Sequence, residues 1–205
     1  MTLKTRGAAF HSARDPELES TPTSRHEFAD GSVALQHDIT RGFLPDEFQS
    51  CDCFYAEPPW RRGVKIFNER AGITGSTLRD VVAGIGQLLA QEESTTQPRP
   101  VVLMCSAQDL PLYRDACPEM QQAKPTIISA FKKKAEAMVM TWNVSAALDF
   151  TDTESIRRSL LLDHQCVGDF CCGYGHTAVQ ARSMGKRFVC SDFNARCIGH
   201  MKANL

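Results

Sequence analysis

The feature that most constrains the fold is a glycine-rich loop between a short apolar strand and a helix near the end of the chain. The predicted strand 166–170 leads into Gly173-Tyr174-Gly175, and a helix is predicted over 176–184. A second apolar strand, 187–191, follows and leads to Asp192. Strand, glycine loop, helix and strand in this order indicate a βαβ unit, whose strands lie in a parallel sheet.

The rest of the chain alternates strands and helices in the same way. An apolar stripe predicts a helix over 78–89, and Thr77 with Asp80 three residues later marks its start. Helices are also predicted over 153–163 and from about 193, a helical turn over 43–48, and a loop over 61–75. The predicted strands are 33–38, 53–56, 101–105, 126–131, 137–142, 166–170 and 187–191. We therefore expect an α/β fold with a mostly parallel seven-stranded sheet and one antiparallel hairpin.

Length and charge limit the domain organisation and the partners. The 205 residues suit one domain, which we place at 32–205, after a polar and unpatterned lead-in over 1–31. The formal net charge is −1, so bulk basicity does not indicate a nucleic-acid partner. If one binds, a local patch such as Arg61, Arg62 and Lys65 would contact its phosphates. No apolar stretch has the length of a membrane span, so no membrane partner is expected.

The nine cysteines are interpreted as reduced residues, most of them buried. Several lie in apolar strands, and the chain lacks the small size and regular cysteine framework of a disulfide-stapled secreted domain. The pairs Cys51/Cys53 and Cys197/His200 have no second pair at zinc-finger spacing, so no metal site is expected. This cysteine usage predicts a cytoplasmic protein.

The glycine loop has the chemistry of a nucleotide-cofactor site. Glycine allows the backbone to approach a ligand closely, and the free amides at the following helix start favour polar or anionic groups. Asp192 can accept hydrogen bonds from both ribose hydroxyls, and Phe193 can cover an adenine face. The third glycine of a dinucleotide fingerprint is replaced by Ala178, which favours S-adenosylmethionine over NAD. The alternative is a tight turn of the kind found in any doubly wound protein.

A second segment, Glu57-Pro58-Pro59-Trp60, directly follows the predicted buried strand 53–56. Two prolines remove two amide donors and stiffen the strand end, which then presents carbonyl acceptors. A carboxylate and a rigid carbonyl can together accept both hydrogens of an exocyclic amine, and Trp60 offers a flat face to the ring that carries it. The alternative is a structural Pro-Pro turn with a buried tryptophan.

At these residues the chain resembles the S-adenosylmethionine-dependent amino-methyltransferases of nucleic acids. Their signature is Asp/Asn/Ser-Pro-Pro-Tyr/Phe/Trp together with a glycine-rich cofactor motif. Here the Pro-Pro motif precedes the glycine motif, as in the permuted DNA adenine and cytosine enzymes and the related messenger-RNA adenine methyltransferases. The likeness extends from about residue 32 to the C-terminus. It implies a single Rossmann-like methyltransferase domain in permuted order.

The resemblance also implies roles for individual residues. Glu57 and the Pro58 carbonyl, with Pro59 beside them, would hold the target amine while Trp60 stacks on the base. The cofactor loop would include Asp169, Phe170, Cys171, Gly173 and Gly175, with Asp192 and Phe193 on the next strand and Asp38 near the cofactor's adenine. Cytosine C5 methylation is disfavoured because the chain has no cysteine placed after a proline as the nucleophile.

The expected activity is methylation of adenine N6 in DNA. RNA, cytosine N4 and a small nucleotide are alternative substrates. Glu57 replaces the shorter residue of the signature, so a catalytically silent subunit that binds cofactor or nucleic acid is another alternative. No block is left for a separate target-recognition domain. Sequence choice would then be loose, supplied by the 61–75 loop, or delegated to another chain, and a homodimer or a partner subunit is left open.

Overall fold

The computed structural model describes residues 25–71, 76–117, 120, 126–130, 135–144 and 152–205. Within them one mixed sheet has helices packed on both faces. The strands are β1 (Arg25–Glu27), β2 (Val33–Gln36), β3 (Cys53–Ala56), β4 (Val101–Ser106), β5 (Thr126–Ala130), β6 (Ala135–Trp142), β7 (Cys166–Asp169) and β8 (Arg187–Asp192). The helices are α1 (Arg61–Ala71), α2 (Leu78–Glu93), α3 (Leu110–Ala116), α4 (Thr153–Leu162), α5 (His176–Ser183) and α6 (Ala195–Asn204). Short 3-10 helices cover Ile39–Arg41 and Asp46–Ser50.

The strand order is β1-β2-β8-β7-β3-β4-β6-β5. The five neighbouring strands from β2 to β4 are parallel, so their carboxyl ends meet at one edge of the sheet. Strand β6 runs antiparallel to both β4 and β5. The seven predicted strands and the predicted hairpin are therefore confirmed.

The pairing of β3 with β7 joins the two parts of the chain that carry the motifs. Tyr55 lies opposite Asp169 in this parallel pair. Just before β3, the Asp52 carboxylate accepts hydrogen bonds from the backbone N–H groups of Gln165 (2.7 Å) and Cys166 (3.0 Å). This carboxylate stabilises the register, because a one-residue slip would remove both bonds.

Alternation along the strands divides the core into two layers. Phe54 on β3 and Leu103 on β4 pack on one face with α2 and α3, where Ile85 is fully buried. Tyr55 packs on the other face with α4, α5 and α6. Fully apolar strands with side chains buried on both sides are typical of parallel sheets covered by helices.

Helix α2 begins at the predicted capping residues. Thr77 and Asp80 form a capping box, in which each side chain accepts a hydrogen bond from the other residue's backbone N–H. Gly84 allows the helix to pack directly on the 3-10 helix Ile39–Arg41, because a Cβ there would overlap the carbonyl oxygen of Ile39.

Three elements differ from the sequence expectation. The lead-in 1–31 contributes β1, a three-residue edge strand too short to carry a pattern. The predicted loop 61–75 is wrong over 61–71, which form α1; residues 72–75 lie outside the described part. Helix α3 was not predicted, since it has only seven residues. In the described residues no helix has both the length and the apolarity of a membrane span.

Helix α1 forms where a loop is predicted. Gly63 and the high share of charged residues favour a loop, although Val64, Phe67 and Ala71 recur at helical spacing. In the structure Val64 is buried, and the Asn68 side chain donates a hydrogen bond to the Ser76 carbonyl oxygen (2.7 Å), which ties the helix end to the approach of α2.

Candidate active site

A cavity of about 700 Å³ lies at the edge where the parallel strands end. Four neighbouring strands each bring one acid to it. Asp38 follows β2, Asp192 ends β8, Asp169 ends β7 and Glu57 follows β3. The Pro-Pro corner and the glycine loop therefore open into the same space, as expected for ligand sites at the carboxyl ends of strands in open α/β sheets.

Most of the site residues predicted from the sequence line this cavity. They are Asp38, Glu57, Pro58, Pro59, Trp60, Asp169, Phe170, Cys171, Gly173, Asp192 and Phe193. Gly175 lies behind the lining at the start of α5, with φ +85° and the Met201 side chain against it.

The predicted phosphate contacts are on α1, where Lys65 lies outside the cavity lining. Lys65 is exposed, with its Nζ 3.9 Å from an Oε of Glu69. Arg61 and Arg62 begin the same helix, and their side chains lie outside the described part of the chain.

The glycine loop is braced by the strand that follows α5. The Asp192 carboxylate accepts hydrogen bonds from the backbone N–H groups of Gly173 (2.9 Å) and Asn194 (2.8 Å). The Cys197 thiol is a further hydrogen-bond donor to this carboxylate, and the lone-pair positions that remain can accept a ligand hydroxyl. Burial raises the pKa of Asp192.

Gly173 has the geometry of a ligand cradle. Its φ is +51°, and a Cβ built on it would meet nothing within 4 Å. Because Gly173 lines the cavity, the loop backbone is open to a ligand at this point.

Asp169 closes the inner end of the loop. One of its oxygens accepts a hydrogen bond from the Thr177 hydroxyl (2.5 Å), and the other accepts one from the backbone N–H of Cys171 (3.0 Å). Burial raises its pKa to about 6, against these hydrogen bonds, which act to lower it. The carboxyl group thus orders the loop at the boundary between the two motifs.

Glu57 lines the cavity beside Asp169, since it follows the adjacent strand β3. Burial raises its pKa to about 7, while Arg157 acts to lower the pKa and Asp169 to raise it. The hydroxyl of Tyr55, two residues earlier, donates a hydrogen bond to Glu57 Oε2 (3.4 Å), which also lowers the pKa. A carboxyl that titrates near neutrality inside a cleft is typical of functional sites.

Arg157 is a cavity residue that sequence reasoning missed. It comes from α4, where it follows the buried Ile156, and its Nη1 donates a hydrogen bond to the Tyr55 hydroxyl oxygen (3.4 Å). Its guanidinium carbon is 5.5 Å from the centroid of the Tyr55 ring. A position beside an apolar stripe was its only signal, and that position alone does not distinguish a site residue from a solvated one.

The Pro-Pro corner leads directly into α1. The backbone N–H of Gly63 donates to the Trp60 carbonyl oxygen (2.5 Å), and Val64, Phe67 and Asn68 of this helix continue the cavity wall. Trp60 is partly buried and packs against the core layer that contains Tyr55. The tryptophan is therefore held at the cavity wall by both the strand end and the helix start.

Across the described residues, no group of three or more His, Cys, Asp or Glu side chains is arranged to hold a metal ion. All nine cysteines are free thiols, and all but Cys171 are buried.

No family model and no curated protein match the chain. Among solved structures it is similar to TTHA0409 from Thermus thermophilus, provisionally assigned as a DNA modification methylase. That match has 13% identity and a TM-score of 0.51 and covers 82% of this chain and 91% of that chain. The same protein complexed with S-adenosyl-L-methionine matches with 12% identity and a TM-score of 0.49, over 82% and 90% of the two chains.

The complex of M1.HpyAVI with SAM matches with 13% identity and a TM-score of 0.48, over 83% of this chain and 97% of that chain. At such identities a likeness defines the fold alone. The match to TTHA0409 gives this chain a Rossmann-like methyltransferase fold, which confirms the predicted fold class.

Proposed function

We propose that the chain transfers a methyl group from S-adenosylmethionine to an exocyclic amine of a nucleobase, with adenine N6 in DNA as the substrate. One observation carries this proposal: Glu57-Pro58 and the Gly173 loop open into one cavity from the adjacent parallel strands β3 and β7. The fold shared with the provisionally assigned DNA modification methylase supports it. The Pro-Pro element precedes the glycine element in the chain, so we assign the permuted order.

The residues of the glycine-loop side fit S-adenosylmethionine. The open space at Gly173 suits a ligand held against the backbone, and Asp192 can accept ribose hydroxyls. Phe193 and Asp38 line the same side of the cavity, where we place the adenine. When bound, this cofactor supplies a methyl group on a sulfonium centre, whose C–S bond breaks as the new C–N bond forms.

The chain's own residues would hold the amine. The Glu57 carboxylate and the Pro58 carbonyl oxygen accept its two hydrogens, which orients the nitrogen lone pair toward the methyl group. The nitrogen must lose one proton when it gains the methyl group. With a pKa raised to about 7, Glu57 is a suitable acceptor for that proton near neutral pH.

Trp60 is assigned to the base. As an aromatic ring at the cavity wall next to Glu57, it offers a stacking surface worth about 1–3 kcal/mol per base. A purine ring overlaps an indole over a larger area than a pyrimidine does, which favours adenine over cytosine. Arg61, Arg62 and Lys65, on the helix that follows Trp60, are assigned to the phosphates of the bound strand.

The test is nucleoside mass analysis of DNA and RNA from cells that express the chain or its Glu57→Ala variant. We expect N6-methyladenine in DNA with the native chain and none with Glu57→Ala. The matched control is Glu93→Ala, which removes an exposed acid at the end of α2 and should leave the product level unchanged.

Calorimetric titration with S-adenosylmethionine separates the alternatives. Heats of binding without any methylated product would identify a catalytically silent module, and methylated RNA, cytosine N4 or free nucleotide would replace the DNA adenine assignment. Asp192→Ala should weaken cofactor binding about tenfold or more, because it removes both the ribose acceptor and the brace on Gly173. Unchanged heats in that variant would contradict the cofactor assignment.

A further inference from the structure

We propose that Tyr55 and Arg157 are positioning residues that hold the Glu57 carboxylate in place for the target amine. This inference rests on the proposed function of Glu57. Neither residue belongs to the Pro-Pro motif or to the glycine loop.

The geometry defines the direction of the hydrogen bonds. A guanidinium group has only donors, so in the 3.4 Å contact Arg157 Nη1 donates and the Tyr55 oxygen accepts. The Tyr55 proton is then directed to its other partner, Glu57 Oε2, also at 3.4 Å. Tyr55 thus connects the Arg157 cation to the Glu57 carboxylate. The two hydrogen bonds run in the same direction, so each polarises the other.

The fold holds Tyr55, the central residue of these two hydrogen bonds, in a fixed position. Tyr55 is 1% exposed and lies in a central strand of the sheet, paired on both sides. Glu57 comes two residues later, so strand alternation directs both side chains to the same layer. Arg157 approaches from α4, which packs in that layer through Ile156.

Electrostatics gives Arg157 a second role. Among the described residues of the cavity lining it is the only lysine or arginine, and its charge acts to lower the pKa values of Glu57 and Asp169. The charged and titratable groups that act on Glu57 are Asp169 from β7, Arg157 from α4 and Tyr55 from β3. The same cation acts on His176 of α5. The pKa of His176 is lowered chiefly by partial desolvation and further by the charge of Arg157.

One hydrogen-bond donor of the Arg157 guanidinium has no partner within the described residues. This donor is the Nε, which is buried. A purely structural arginine would have its buried donors satisfied. Arg157 therefore fits a role in the charge balance of the cavity better than a role in packing.

Glu57 needs such support because it is longer than the residue of the Pro-Pro signature that it replaces. An extra methylene adds a rotatable bond, and a misplacement of about 1 Å can cost on the order of a hundredfold in rate. Tyr55 restricts that freedom from one side of the carboxylate. The longer acid and the tyrosine thus act as a matched pair.

The direct test is the titration of Glu57 in the free protein, followed by NMR with carboxyl-labelled glutamate and assigned with Glu57→Gln. Removing the cation by Arg157→Met should raise the Glu57 midpoint by about one pH unit. Tyr55→Phe should raise it by less, Arg157→Lys should retain most of the native value, and Arg158→Met, which removes the exposed neighbour on α4, should leave it unchanged.

The kinetic test uses the same variants with DNA and S-adenosylmethionine. Tyr55→Phe should lower kcat about tenfold with cofactor affinity unchanged, and Arg157→Met should move the pH–rate curve to higher pH by the same amount as the NMR midpoint. Midpoints that stay at the native value in both Tyr55→Phe and Arg157→Met, or in Tyr55→Phe where Arg157→Met is unfolded, would overturn the inference. An inactive native chain with the expected NMR shifts would instead refute the proposed function.

Discussion

The buried position of Glu57 lowers the stability of the folded protein at neutral and higher pH. Its pKa is raised from 4.5 to about 7, chiefly by burial, so the folded state holds the proton more tightly than the unfolded chain does. The carboxyl group therefore contributes stability below about pH 4.5, and this contribution is lost as the pH rises through about 7. Such a cost is typical of a group that is kept for chemistry.

Glu57→Gln should accordingly stabilise the protein at high pH, because glutamine cannot ionise. We expect the variant to be more stable than the native chain by about 1–3 kcal/mol at pH 8, with the difference falling below about 1 kcal/mol at pH 5. Urea unfolding at both pH values measures it. A difference that is equal at the two pH values would show that Glu57 does not titrate between them.

At the scale of the element, α2 shows how a glycine inside a helix can stabilise the packing of that helix. Gly84 lies in the middle of α2, where alanine would be favoured by about 1 kcal/mol on helix propensity alone. The contact with the Ile39 backbone reverses this preference, because any side chain would push α2 away from the 3-10 helix that follows Asp38.

Gly84→Ala should therefore destabilise the protein by about 1–3 kcal/mol through overpacking, measured by urea unfolding. The neighbouring swap Ala83→Gly, at an exposed position of the same helix, should cost about 1 kcal/mol for the opposite reason, loss of helix propensity. A stabilising Gly84→Ala would mean that the helix moves without cost.

The elements also show how far local patterns extend. Helix α2 follows from its apolar stripe and its Thr77–Asp80 cap, and both motif loops follow from their glycines and prolines. The apolar pattern of helix α1 is short and is obscured by Gly63 and its charged neighbours. The position of Arg157 does not follow from a local pattern, because it depends on what the rest of the chain packs against α4. Sequence periodicity predicts which residues of one element are buried. It does not predict that Arg157 lies over the ring of Tyr55, because that contact forms only when α4 packs against β3.

At the scale of the whole molecule, the described cavity lining is more acidic than the chain as a whole. The described lining carries four acids and one arginine, and the net charge is −1. Among the described residues, attraction for a nucleic acid must then come from cations outside the cavity lining. Of the three assigned to phosphates, Lys65 is described with its side chain, which is exposed and only loosely paired with Glu69.

Lys65→Ala should weaken DNA binding at low salt and reduce the slope of log K against log salt by about 1, since one phosphate contact is lost. Fluorescence anisotropy over a salt series measures the slope. The control Lys202→Ala removes an exposed lysine near the end of α6 and should leave the slope unchanged. An identical slope in native chain and Lys65→Ala would remove this helix from the DNA interface.

The pairing of Tyr55 with Asp169 has an evolutionary consequence. The spacing of the two motifs is set by the hydrogen-bonded ladder between β3 and β7, and the length of chain that connects them has no part in it. Descendants of this protein can gain or lose residues in the connections between the helices and strands of 57–165 without moving the acids relative to each other. A single codon inserted inside either strand would turn its terminal carboxylate to the opposite layer, so we expect indels to be frequent in the first region and absent from the second.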